Sequence, residues 1–264
     1  MRVCFYSIIR CIARAVLSKR FLLSLCLVSA LFIMDLLPSF VSGINVYQGE
    51  VYYSYDLISL YMLNGSTMFL GFTFIVTIIP YAGAFCDDYN SGFLIPFMGR
   101  TTGMGYAVGT ASACGVSAFL CTFLGQVMCL LFYNIFIPLN NHSQYTYSDY
   151  SLVEAGRYVL FLLCFIVLYS LRAAFFALVS LLVSTFVKNK YIIFSIPLIM
   201  YFLLMKFGYG VLNLPGYLNV LGIYFGFTFG EGNEVISVLY AMSFTVFTGI
   251  IAGSVLLRKV GRCL

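Results

Sequence analysis

Residues 158–171 read Tyr-Val-Leu-Phe-Leu-Leu-Cys-Phe-Ile-Val-Leu-Tyr-Ser-Leu, without a charge and without alternation. A strand of a transmembrane barrel alternates apolar and polar side chains over about ten residues. A continuous run such as this one predicts a helix in hydrocarbon instead. The run continues to residue 187 with Arg172 as its single charged residue. Similar runs predict spans at 21–41, 67–86, 104–136, 191–209 and 235–257, making six with 158–187. The runs 104–136 and 158–187 exceed the hydrocarbon thickness at a rise of about 1.5 Å per residue, so they must tilt or project. Composition agrees. Of 264 residues, 62% are hydrophobic and 9% charged, and mean hydropathy is +1.01, whereas soluble domains carry about 25% charged residues. These values exclude a soluble domain, a disordered chain, a collagen and a disulfide scaffold. The expected fold is an all-α, polytopic integral membrane protein, a single transmembrane domain over 1–264.

Lys and Arg near span ends are retained on the cytoplasmic side. With the N-terminus inside, the inner segments hold Arg2, Arg10, Arg14, Lys19, Arg20, Arg100, Lys188, Lys190, Arg258, Lys259 and Arg262, which is 11 of the 14 basic residues. Glu50, Asp56, Asp149, Glu154, Glu231 and Glu234 fall on the other side. An even number of spans then places both termini in the cytoplasm. None of the nine cysteines lies in an expected outer loop, where oxidation favours disulfides. The single histidine, His142, lies in such a loop, so no Cys/His metal spacing exists, and no metal, other cofactor or nucleic-acid partner is expected. The first apolar run starts at Phe21 and is span-length, which reads as an uncleaved anchor.

Residues 1–20 form an amphipathic helix candidate. Phe5, Ile8, Ile9, Ile12 and Val16 follow a 3.6-residue stripe, with Arg10 and Arg14 on the opposite side. Such a helix lies in the headgroup layer, drawn to anionic lipid, or contacts a cytoplasmic partner. The inner loop 86–103 opens on the acidic pair Asp87 and Asp88, continues through Gly92 and an apolar stretch, and reaches Arg100 and then Tyr106. An acidic pair suits the start of a short helix, whose dipole favours negative charge. The layout resembles the permease subunits of type-2 ATP-binding-cassette exporters. In many Gram-positive members the loop between spans two and three carries an acidic residue, three others, Gly, an apolar stretch and an Arg followed by a Tyr. Asp88, Gly92, Arg100 and Tyr106 stand in those places; where the family often has a basic residue about four positions later, this chain has Thr110.

The resemblance implies that loop 86–103 is a coupling helix seated on a separate cytoplasmic ATPase, with Asp87, Asp88, Gly92, Arg100, Arg10 and Arg14 as its contact residues. It implies a second permease copy, identical or similar, facing this one across the translocation path in the cell membrane. The chain has no Gly-x-x-x-x-Gly-Lys-Ser/Thr phosphate loop, so it is expected to be non-catalytic. The alternative class is a stand-alone secondary transporter or channel, which usually shows internal repeats and more intramembrane charge. An intramembrane enzyme needs a cluster such as His with carboxylates within spans, and His142 lies outside.

Two ionisable residues fall within spans at similar depth, Asp35 and Arg172. An unpaired Arg at the bilayer centre costs about 2.5–3.5 kcal/mol on insertion scales. The two are therefore expected to approach each other or to line a hydrated path. Gly105, Gly109, Ala113 and Ser117 repeat every fourth residue, a spacing that lets helices pack closely. Segment 206–234 is broken by Asn213, Pro215 and Gly216 and is expected to hold short interfacial or re-entrant helices; the family resemblance implies a small external helical element there.

Overall fold

The computed structural model describes residues 2–47, 50–53, 57, 69–93, 102–137, 152, 156–187, 189–207, 215, 217–225 and 234–261. Its helices are α1 (Arg2–Val16), α2 (Lys19–Ser42), α3 (Phe69–Ile78), α4 (Ala84–Asn90), α5 (Gly103–Asn134), α6 (Tyr158–Ser184), α7 (Lys190–Met205), α8 (Val220–Phe225) and α9 (Glu234–Gly261). Strands β1 (Ile44–Tyr47) and β2 (Glu50–Tyr53) pair antiparallel, Ile44 opposite Tyr53. This hairpin is the strand pairing among the described residues, and the fold is otherwise helical.

Four helices are long and apolar enough to cross a membrane: α2, α5, α6 and α9. Each falls on a run read from the sequence. The other two runs form shorter helices. The run 67–86 holds α3, of 10 residues, and breaks at Pro80, which lacks the N–H that a helix interior needs. A turn through 79–83 leads into α4. The run 191–209 holds α7, of 16 residues with Pro197 inside.

Helices α5 and α6 form the centre. α5 packs against α1, α2, α6 and α9, and α6 against α5, α9, α7 and α3. In its most apolar window 78% of α6 is buried, against 22% for α9, so α6 is the core helix and α9 a peripheral one. The core has two parts. One gathers Phe32, Leu36, Tyr133, Phe161 and Phe176 around the middle and one end; the other gathers Ala15, Ile78, Phe85, Tyr106, Leu181 and Leu256 at the opposite end. That second end carries the starts of α2, α5 and α7 and the finish of α9, and with them Lys19, Arg20, Lys190, Arg258 and Lys259.

Helix α1 lies against α5 on a face that overlaps the edge of the apolar stripe, with Ile12 and Val16 packed on the core. Ser7, Cys11 and Ala15 are buried, whereas Ile9 is 48% exposed. Ser7 Oγ donates to Gly105 O at 3.3 Å, and a Cβ on Gly109 would lie 3.2 Å from Cys11 Sγ. A small-residue row on α1 meets a glycine row on α5, and the backbones close to a distance that large side chains forbid. Ser18 ties α1 to α2: its hydroxyl donates to Ala15 O at 2.8 Å and accepts from Phe21 N at 3.1 Å. Within 206–234 the described residues hold the short helix α8, whose Tyr224 bonds Thr245 Oγ1 of α9 at 2.8 Å.

Candidate functional site

The site is built on α4, seven residues whose Ala84 and Phe85 belong to the apolar core and whose later residues leave it. Cys86 anchors it: the buried thiol donates to Val187 O, past the end of α6, at 3.5 Å. Asp87 and Asp88 then project in different directions, since consecutive helical residues do not share a face. Gly92 follows with φ +68°, a left-handed conformation that glycine adopts without a Cβ penalty, and turns the chain away.

Asp88 points inward, its side chain 4% exposed. Its carboxylate accepts from Arg14 Nη2 of α1 at 3.3 Å and from the Tyr106 hydroxyl of α5 at 3.1 Å. Asp87 points outward and is 25% exposed. It accepts from Arg20 Nη1 of α2 at 3.1 Å and pairs with Lys190 at the start of α7. Two adjacent carboxylates on one short helix thus hold side chains from α1, α2, α5 and α7. Partial burial pushes the Asp87 carboxyl up, but Lys190 and Arg20 outweigh it and hold it below the usual carboxylate range. Partial burial likewise disfavours the Arg14 charge, and Asp88 outweighs that, leaving its pKa raised. An open cleft of about 560 Å³ lies over the cluster, with Ser91, Gly92 and Phe93 on its rim.

The residues expected at the site divide into three groups. Asp87, Asp88, Arg14 and Gly92 come together around the cleft. Arg10 stays apart: it is exposed and lies over the Tyr6 ring, 5.0 Å from its centroid. Arg100 lies outside the described residues. Arg20 and Lys190 were absent from the sequence expectation. Their signal was their position at the first turns of apolar helices, but nothing in a linear reading joins them to Asp87.

The expected approach of Asp35 to Arg172 is not an ion pair in the structure. Arg172 is 1% exposed, and its guanidinium carbon lies 3.8 Å from the Tyr169 ring centroid and 5.0 Å from that of Phe74. Asp35 is 5% exposed and sits on α2. Aromatic faces of α6 and α3 lie beside Arg172, and cation–π attraction favours its charge there.

Among the described residues, no group of three or more His, Cys, Asp and Glu could hold a metal. The Asp87–Asp88 cluster joins α4 to α1, α2, α5 and α7. No family model, curated protein or solved structure matches the chain.

Proposed function

We propose that the chain is the membrane-spanning half of an ATP-driven exporter, paired with a second permease copy and driven by a separate cytoplasmic ATPase. In this reading the six apolar runs all span a cell membrane, with both termini and the end bearing Lys19, Arg20, Lys190, Arg258 and Lys259 in the cytoplasm. Loop 86–103 then faces the ATPase, and two bundles enclose the path.

The observation that supports this reading best is the pair of carboxylates on α4. A coupling element must do two things: present a surface to its motor and transmit displacement to the spans. Asp88 is tied to Arg14 and Tyr106 and Asp87 to Arg20 and Lys190, so a push on α4 is delivered to four helices. Rigid-body rocking of bundles around a path is a common way to alternate access.

The experiment asks whether an ATP-binding-cassette ATPase is encoded beside the chain and co-purifies with it, and is followed by reconstitution. Substrate-dependent ATP hydrolysis is expected with both subunits present. An Asp88→Ala variant is expected to assemble normally yet hydrolyse ATP without transport. Solute movement by the purified chain alone, driven only by an ion gradient, would overturn the proposal and favour a secondary transporter.

A further inference from the structure

Asp35 is an anomaly of the apolar part of the bundle. It lies on α2, 5% exposed, sixteen residues past Lys19 and so about 24 Å along the helix. Its Oδ1 is buried without a hydrogen-bond partner. An ionised carboxylate isolated in a low-dielectric interior costs so much that the group takes up a proton instead. A carboxyl in a span is costly to keep and is, by default, a functional position.

Among the described residues, no cation lies within ion-pair distance of it. From α5, Cys129 and Tyr133 interact with it electrostatically, but the Tyr133 hydroxyl already donates to Ile33 O at 2.7 Å. From α6, Tyr169 interacts with both Asp35 and Arg172. Helix α3, which also packs on α2, carries no titratable side chain. Depths explain the separation from Arg172. Measured back from Ser184, Tyr169 lies at about 22 Å and Arg172 at about 18 Å. Tyr169 is therefore about as far along its helix as Asp35 is along α2, and it interacts both with Asp35 and with the guanidinium that stacks on its ring.

We propose that Asp35 is a proton-binding site in the interior of the bundle, neutral in the resting protein, with Tyr169 the neighbour that interacts with both it and the permanently charged Arg172. The ligand is a proton. Binding it forms one O–H bond on the carboxyl and removes one negative charge from the interior. The inference does not depend on the exporter reading, because it concerns the bundle alone.

Infrared spectroscopy of the full chain in liposomes tests it. At neutral pH the wild type is expected to show the C=O stretch of a protonated carboxyl that Asp35→Asn lacks, and raising the pH should remove that band. Asparagine has the shape of the neutral acid, so the variant is expected to melt at least as high as wild type and to lose the wild type's decline in stability at rising pH. The proposal is overturned if the two proteins coincide in the protonated-carboxyl region at neutral pH. A variant that fails to assemble overturns it too, since the neutral mimic would then be an inadequate substitute.

Discussion

Asp87 and Asp88 are neighbours in the chain with opposite surroundings, and their substitution should separate two kinds of stabilisation. Asp88 is buried between a half-exposed Arg14 and the buried Tyr106. A hydrogen bond to a charged group contributes about 1.5–3 kcal/mol. A double-mutant cycle of Asp88→Asn with Tyr106→Phe, read by denaturant unfolding in detergent, is expected to give a coupling in that range, and additivity would contradict the bond. Asp87 is held below the usual carboxylate range because Lys190 and Arg20 outweigh its burial. Its ion pairs therefore stabilise the protein above the unfolded carboxylate value of about 4. That stability is lost as pH falls through the lowered native value. Both cations are largely in water, at 62% and 45% side-chain exposure, so screening limits the contribution to about 1 kcal/mol or less. Asp87→Asn should lower stability at neutral pH by up to that amount and converge with wild type at low pH, so that the acid limb of its stability-against-pH curve is flatter. Of this site, the acidic pair and Arg14 were legible in the sequence, because charge is rare in the chain. Arg20 and Lys190 were not: they lie 67 and 103 residues from Asp87, and only folding brings them to it.

Helix positions were legible wherever composition alone decides them, as in the uninterrupted runs of α5 and α6. Helix faces were legible only in part. Of the N-terminal stripe, Ile12 and Val16 pack on the core and Ile9 is exposed, and the most buried positions of α1 are Ser7, Cys11 and Ala15. In a membrane, a large apolar side chain gains little by leaving lipid for protein. Close packing of small residues decides the contact instead. The same rule governs α2 against α5. A Cβ on Gly125 would lie 2.8 Å from Val28 Cγ1 and 3.4 Å from the Ser29 backbone nitrogen. Gly125→Ala is therefore expected to destabilise the bundle by about 1–3 kcal/mol, the usual cost of overpacking. Val28→Ala in the same chain should recover most of the loss by making room. Thermal unfolding of the single and double variants checks this, and equal stability of Gly125→Ala and wild type would show that the helices separate freely.

At the scale of the molecule, charge is sorted along the bundle. Lys19, Arg20 and Lys190 stand where α2 and α7 begin, and Arg258 and Lys259 where α9 finishes. Glu234 opens α9 at the other end, where its carboxylate accepts from Leu152 N at 3.4 Å. The sorting was readable in the sequence because basic residues cluster at the boundaries of apolar runs. What was not readable was that the basic end is also the tied end. There Arg14, Arg20 and Lys190 converge on α4, so basic residues expected to set orientation also brace the helices. The two roles are separable by experiment. If six runs span the membrane, epitope tags at the two termini must lie on one side, together with the α4 cluster. Antibody binding to intact cells should therefore fail for both tags and appear for both once the membrane is opened. A tag inserted between β1 and β2, at residues 48–49, should bind antibody on intact cells, since α2 carries the chain across. Replacing both Arg20 and Lys190 with Gln should weaken the brace on α4 while leaving this pattern unchanged. The remaining basic residues at that end still outnumber those at the other, and orientation follows the total. One terminal tag exposed without the other would mean an odd number of spans, and the six-span reading would fall with it.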